Sequence, residues 1–570
     1  MEEDQYKDNT HEILNGDDLI RKASPVDDPR SSTTVRGWCG TNNYKEADRL
    51  YYVSIQFISA THMILLPSQP WPIMPRTKGP WHSRRKLTAM CAVATLLILA
   101  IDYRKSVMTE MEESKRNKQT SDFLADIDYA LDTMKYMHEM QIGKAAIRPV
   151  VEEEQRVVEF YWFCRIDRFE KISTDEWTEN DGLYLYNAYL DTRKNSLYPR
   201  NDVIQILTVS FRTIRHKVYC NIFDEKQYAV VEGYVREIWQ RGWDPRDQFY
   251  IPNLVSCPIP KRFRSSAELY VSITSEPCRT QRVAVRVHID RSQGKKDAVA
   301  VCVKGMDFQA DISTRLVEWL EAQYLFGVST VTMYKYTVSK QMQQVLDHFE
   351  KQGKLVQIPL TLPGHSPNLP LVRSEYIARN RQQKRRHELI PYNDCLYRHI
   401  STHRYILILD IDELIVPLQH DNYADLLANI ESSLPTERIS SLSFSNVFKF
   451  PAKTADASRP AHMYMMRNTM RSRKTSDHRN YGKSMTNTAT VATVFNHFAL
   501  HRLTPNVSGT MYIPERLGIK LHYKSTCPVE ARKECAELQN DTVTDHSIDR
   551  FADELERRVN RTLLELNLIE

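Results

Sequence analysis

The chain of 570 residues is short of three things, and each shortage removes a class of function. It lacks a dominant charge: 77 Lys and Arg against 72 Asp and Glu leave a net +5, spread along the sequence, which gives no case for nucleic acid as a partner. It lacks Cys-x-x-Cys pairs among its 10 cysteines, so a zinc site of that kind is not expected. It also lacks an apolar run of full membrane length. The nearest approach is residues 87–101 (LTAMCAVATLLILAI), uncharged and bracketed by Arg84-Arg85-Lys86 and by Asp102 with Arg104-Lys105. At ~1.5 Å per residue this stretch spans roughly 22 Å of a ~30 Å hydrocarbon core, so flanking Lys and Arg must snorkel or the bilayer must be thin. The heavier positive flank on the N-terminal side leaves residues 1–83 in the cytosol and the chain beyond residue 105 in the lumen, with residues 84–105 as a signal anchor. A buried core helix and a cleaved signal sequence are the competing readings, and no small-x-small cleavage site stands out.

What is present agrees with an oxidising lumen. Cys164, Cys220, Cys257, Cys278, Cys302, Cys395, Cys527 and Cys535 follow the anchor, an even set that allows disulfides without revealing their pairing. The sequons Asn506-Val-Ser, Asn540-Asp-Thr and Asn560-Arg-Thr lie on the same side. Residues 1–83 are polar and then Pro-rich, which suits a disordered tail, and residues 106–156 are charged and suit a helical stem. From 157 to 290 short alternating strands recur, at 183–189, 203–209, 218–222, 229–234, 269–274 and 283–289, and read as a β-sandwich-like module. Its aromatics Tyr184, Tyr186, Tyr189, Trp239 and Trp243 are either core or a sugar-stacking platform, core being the commoner fate of aromatic residues in strands.

At residue 291 the texture changes to strands alternating with helices. Strands are expected at 298–303, 330–336 and 354–359, and helices at 314–327, 339–351 and 392–399, with Ser339 as a cap and Gly327 and Gly353 as stops. This is the pattern of an α/β domain, a mostly parallel sheet between helices, over residues 291–550, with a C-terminal helix at 551–570. The basic run 379–387 reads as a solvated loop rather than a pyrophosphate site. The domain turns on Arg404-Tyr-Ile-Leu-Ile-Leu-Asp-Ile-Asp-Glu-Leu-Ile-Val-Pro417. Residues 405–409 are too few for a helix and suit a buried strand, after which Asp410 and Asp412 share a face while Ile411 turns to the core. Ligands of open α/β sheets gather at such carboxyl ends, and two hard oxygen donors there suit Mn²⁺ or Mg²⁺ carrying a phosphate. An apolar strand followed by Asp-x-Asp also opens phosphatases that use the first Asp as nucleophile, although those continue with x-Thr or x-Val where this chain has Glu413-Leu414.

Several ordered motifs then resemble glycosyltransferase family 92: Cys302-Val-Lys304, Val317-Glu-Trp319, Phe326-Gly-Val328, Met333-Tyr334, Leu362-Pro363, Asn393-Asp-Cys-Leu-Tyr397, Asp410-Ile-Asp-Glu413 with Pro417, and His522-Tyr523. Tyr189-Leu-Asp-Thr-Arg193 and Cys257-Pro258 resemble its N-terminal half, so the likeness spans about residues 180–550. The resemblance implies a GT-A fold, a UDP-sugar donor, typically UDP-galactose, Mn²⁺, inversion at the anomeric carbon, and a Golgi enzyme building β-linked galactose onto glycoprotein or glycolipid glycans. In that frame Asp410 and Asp412 hold the metal, with His522 completing its sphere and His497 as the second choice. Cys302, Lys304 and Tyr334, at the ends of the first two strands, hold uridine, and Asn393 and Asp394 reach ribose or donor sugar. The catalytic base is a carboxylate that the sequence does not identify. A metal-dependent phosphatase with Asp410 as nucleophile, or a membrane-tethered carbohydrate-binding protein, are the alternatives.

Overall fold

The computed structural model describes residues 170–172, 175–279, 283–292, 294–433, 436–451, 458–476, 481–524, 527 and 532–570. The expected tail, anchor and stem lie outside the described residues, and among the described residues no helix is long and apolar enough to cross a membrane.

The N-terminal strands are β1 (Leu183–Asp191), β2 (Val203–Phe211), β3 (Val218–Phe223), β4 (Tyr228–Glu237), β5 (Tyr250–Pro258), β6 (Tyr270–Thr274) and β7 (Val283–His288). They hydrogen-bond in the order β1-β2-β5-β4-β3-β6-β7, and β7 returns to β1 in parallel register, Ala188 opposite Val287 and Tyr189 opposite His288. The ring is therefore a seven-stranded barrel, not the two-layer sandwich that the strand pattern suggested. Closure satisfies the edges that a sandwich would leave unpaired. β5, which carries Pro252 and Pro258 and is not among the strands expected from sequence, is central and pairs with both β2 and β4. Leu185, Ile206, Ile222, Val231, Val255 and Val285 fill the barrel, together with the disulfide Cys220–Cys257. That bridge crosses β4 at Gly233, where a Cβ would lie 2.7 Å from Cys220 Sγ, so glycine makes the room. Closing a loop of 37 residues contributes roughly 3–4 kcal/mol.

The second part alternates as expected. Parallel strands β8 (Asp297–Asp307), β9 (Thr330–Thr337), β10 (Leu355–Pro359) and β11 (His403–Ile408) stand in the order β10-β9-β8-β11. Helices α1 (Ser313–Leu325) and α2 (Lys340–Lys351) form the crossovers, Ser339 Oγ accepting from Met342 N as the α2 cap. Beyond β11 the sheet becomes mixed, with two antiparallel pairings followed by a parallel one. Of the later strands β12 (Glu413–Pro417), β13 (Ile439–Phe444), β14 (Asn446–Phe450), β15 (Lys483–Asn487), β16 (Ser508–Tyr512) and β17 (Gly518–Tyr523), the first sheet takes β15, β13 and β16. A second sheet begins β12-β17-β14. The segment between β10 and β11 holds α3 (Pro370–Arg379), α4 (Arg381–His387) and α5 (Leu389–His399); α6 (Tyr423–Ser433) and α7 (Ala552–Glu565) follow later, α7 packing on α1.

The barrel and the α/β part share a core. Tyr186, Tyr189 and Leu207 of the barrel pack with Leu389, Tyr392 and Leu396 of α5. One correction follows from this contact, and one reading is decided by it. The basic run 379–387 is helical, and Arg386 is fully buried, its guanidinium 4.1 Å from the Trp239 and Phe249 rings and paired with Asp244 at 3.2 Å. Tyr186, Tyr189 and Trp239 are buried and are core; among the five aromatics, Trp243 alone is exposed, at 54%.

Candidate functional site

The chain passes from the first sheet to the second through a tight turn. β11 ends at Ile408 and β12 starts at Glu413, so Asp410 and Asp412 stand on the turn between two sheets rather than on one face of a continuing strand. Glu413 Oε2 accepts from Asp410 N at 3.1 Å, and Tyr523 N donates to Asp412 O at 2.9 Å, which fixes the turn against β17. Ile411 packs on the main core, as its alternation with the two acids implied.

Four lysines surround these acids. Lys304, in β8 beside its irregularity between Val303 and Met306, lies 3.0 Å from Asp410 Oδ1 and 3.3 Å from Glu388 Oε1. Lys483, the first residue of β15, lies 3.6 Å from Asp410 Oδ2 and 3.4 Å from Glu413 Oε2, and also reaches Asn496 Oδ1 at 2.7 Å. Lys520 is 2.6 Å from Glu413 Oε1, and Lys524 is 2.5 Å from Asp412 Oδ2. Burial alone would raise the carboxyls, but Lys304 and Lys483 hold Asp410 well below the usual range. Lys524 and His522 do the same for Asp412, and Lys483 and Lys520 hold Glu413 at about 2. The Asp410 and Asp412 side chains remain 24% and 23% exposed, whereas that of Glu413 is 2%. The first two are therefore available to a ligand, and Glu413 is a structural anchor.

His522 is opposite Glu413 in the β12–β17 register, stacks on Phe448, and turns Nε2 to Asp412 Oδ2 at 3.7 Å; its Nδ1 is buried without a hydrogen-bond partner among the described residues. A 3.7 Å separation is close to the ~3 Å between neighbouring ligands of a six-coordinate ion. Two carboxylates and an imidazole fit Mn²⁺ in chemical kind, with Asp412 and His522 already side by side. Among the described residues no three His, Cys, Asp or Glu side chains converge as a ready ligand set, because ammonium groups of Lys304 and Lys524 lie against the carboxylate oxygens. His497 borders the cluster on the Lys483 side, with its ring turned away to the backbone: Nδ1 lies 2.7 Å from Gly482 O, and burial with Lys483 nearby pushes its pKa down to about 3.

Four of the expected donor contacts are corrected. Cys302 is bonded to Cys395 and fully buried, so its sulfur is not available to uridine. Tyr334 is fully buried and donates to Asp394 Oδ2 at 2.6 Å. Asp394 also accepts from Tyr189, from Asn187 Nδ2 at 2.7 Å and from Arg398 Nε at 2.7 Å. Burial opposes its charge, yet Arg398 and the two phenols hold its carboxyl below the usual range, so it ties barrel, β9 and α5 together. Asn393 bonds to Leu389 O, Val494 O and Val494 N. Cys302 and Tyr334 lie within β8 and β9, and Asn393 and Asp394 on α5, where strands and helix pack against the barrel. Lys304, Asp410, Asp412 and His522 do come together. Lys483, Lys520 and Lys524 were missed, although Lys520-Leu-His522-Tyr-Lys524 alternates with the period of a strand whose one face reaches the acids.

The sequence model of glycosyltransferase family 92 matches residues 297–559. No curated protein matches the chain. Solved structures that align include S. aureus TarS residues 1–349, at 15% identity over 27% of this chain and 36% of that one, with a TM-score of 0.16. TarS in complex with UDP-GlcNAc aligns at 12% identity over 40% and 60%, TM-score 0.22. The purple acid phosphatase PPD1 of yellow lupin (Lupinus luteus) seeds aligns at 13% over 33% and 38%, TM-score 0.15. This chain thus spans between 36% and 60% of those chains, and at such TM-scores the likeness carries no argument. The family match rests on sequence and takes in the Asp-x-Asp turn, His522 and Lys524 together: residues 297–559, a little under half of the chain, are similar to glycosyltransferase family 92.

Proposed function

We propose that this domain transfers a hexose, galactose in our reading, from a UDP-sugar to a glycan acceptor with inversion, in the Golgi lumen and tethered by residues 84–105 as a type II membrane protein of GT-A type. The observation that carries the reading is the turn Asp410–Asp412 at the carboxyl ends of the strands, ringed by Lys304, Lys483, Lys524 and His522, inside the stretch similar to family 92. Direct displacement needs a neutralised diphosphate leaving group and an oriented sugar. Lys304, in β8, and Lys524, just after β17, are half-buried and present their charge beside the Asp-x-Asp turn, where strand ends open to a ligand. Lys483 and Lys520, almost fully buried, keep Glu413 ionised and so hold the turn in shape. Asp410, Asp412 and His522 are the residues that would hold Mn²⁺. The ion, when bound, adds charge neutralisation at the diphosphate.

The phosphatase reading gains a lysine, Lys483, beside Asp410, but no downstream acidic pair joins that turn among the described residues, and nothing favours it over the transferase. The test is UDP release from UDP-galactose by the full chain in detergent, with Mn²⁺ and a glycan acceptor present. Release that depends on both supports the proposal. Phosphate release from small phosphoesters without UDP formation would overturn it.

A further inference from the structure

Trp243 is the exposed aromatic residue of a loop that is otherwise tightly held. The segment between β4 and β5 turns through the Trp243 N to Gln240 O hydrogen bond at 3.1 Å. Trp239 is buried beside it and donates Nε1–H to Asp244 O at 2.9 Å. Asp244 is pinned in turn by Arg386 at 3.2 Å and by Arg246 at 2.8 Å. The indole of Trp243 meets the Phe495 ring edge-on, centroids 4.8 Å apart, and yet stays 54% exposed. A large rigid aromatic left open to water on a fixed loop offers a flat apolar face to a ligand.

Its place follows from two independent chains of contact. Phe495 is at the tip of the hairpin formed by Val491–Val494 and Ala499–Arg502. The next residue, Asn496, accepts from Lys483, and Lys483 faces Asp410 at 3.6 Å. On the other side, Asp244 holds Arg386 in α4, and Glu388, two residues on, is 3.3 Å from Lys304, which is 3.0 Å from Asp410. Both routes end on the Asp-x-Asp turn, so a few side-chain contacts connect Trp243 to the proposed transfer site.

We infer that Trp243 forms an acceptor subsite, stacking the C–H face of one pyranose ring of an oligosaccharide whose hydroxyl is presented to the donor further in. This rests on the transferase reading and adds to it a carbohydrate-binding role for the barrel. The subsite lies beyond the first sugar, so it favours oligosaccharide acceptors over monosaccharides.

The test compares wild type, Trp243→Ala and Trp243→Phe, each as full chain in detergent. The probe is a fluorescently tagged pool of N-glycans, O-glycans and glycolipid headgroups, with tagged monosaccharides as the short control. Trp243→Ala is expected to raise KM for the oligosaccharides about tenfold, equivalent to ~1.4 kcal/mol, with the loss falling on KM rather than on kcat. Trp243→Phe should recover most of it, monosaccharides should be affected less, and the thermal stabilisation conferred by UDP should persist. An unchanged KM in Trp243→Ala overturns the subsite, as does a Trp243→Phe variant no better than Ala or a loss of UDP-dependent stabilisation. A wild type that releases no UDP from any UDP-hexose, with or without the pool, overturns the transferase reading itself and the subsite with it.

Discussion

Glu413→Gln should damage the fold rather than the chemistry. Its carboxylate, 2% exposed, faces Lys520 at 2.6 Å and Lys483 at 3.4 Å, side chains that are themselves 0% and 1% exposed. Replacing the acid with a neutral amide strands two buried ammonium groups, and breaking such a pair costs ~3–5 kcal/mol. A second estimate agrees. A carboxyl held at about 2 instead of near 4.5 is linked to about 3 kcal/mol of stability. Because the folded pKa is the depressed one, this contribution is complete above about pH 4.5 and is lost as pH falls towards 2. The expected result is a melting temperature roughly 5–10 °C lower at pH 7, read by circular dichroism on the full chain in detergent, with the deficit shrinking as pH drops below 4.5. Pairing Glu413→Leu with Lys520→Met should recover part of the loss, since an apolar pair of similar volume replaces a buried ion pair at little cost. A Glu413→Gln protein melting within ~1 °C of wild type, or a deficit that grows on acidification, would refute the argument.

Asp410→Asn and Asp412→Asn should behave in the opposite way. Each side chain is about a quarter exposed, Asn keeps its shape, and transfer should fall about a thousandfold, ~4 kcal/mol, with little change in melting; retained stabilisation by Mn²⁺ with UDP in both variants would move the metal elsewhere. His522→Ala should weaken Mn²⁺ binding, measured by titration calorimetry, while His497→Ala, whose Nδ1 is engaged by Gly482 O, should not; equal losses would reverse that choice. Among the sequons, Asn506 is exposed in a turn, whereas Asn560 sits within α7 with its side-chain oxygen 2.7 Å from His462 Nε2. Asn506→Gln should therefore remove an endoglycosidase-sensitive band from cell-made protein and Asn560→Gln should not, the reverse pattern counting against lumenal exposure of that turn.

The elements of the α/β part were legible because periodicity and punctuation agree there: Ser339 caps α2, Gly353 at φ +70 ends the turn after it, and β8, β9 and β11 each carry a run of buried residues. Barrel closure was not legible, since it depends on one parallel pairing between residues about a hundred positions apart, Ala188 with Val287, which no local pattern encodes. The site divides along the same line. Asp410, Asp412 and His522, which the fold brings near one another, could be singled out as candidates because metal-ligating residue types carry their chemistry in their identity. Cys302, Tyr334, Asn393 and Asp394 were misjudged because family motifs do not separate a residue that touches donor from one that locks the sheet, and burial decides between them. Lys520 and Lys524 were hidden by being lysines, which in sequence look like surface.

The Cys302–Cys395 bridge makes a closed loop of the segment from β8 to α5, 93 residues apart in sequence, and inside that loop lies the exposed basic stretch with Arg379, Arg381 and Lys384. A protease that cuts there severs the chain without releasing a fragment. Nicked molecules should run as one band on a non-reducing gel and as two after reduction, and the half carrying Lys304 stays fastened to the half carrying Asp410. Trypsin damage in a secretory compartment would thus be silent until the thiols are freed, and a preparation that looks intact without reductant is not proof of an uncut chain.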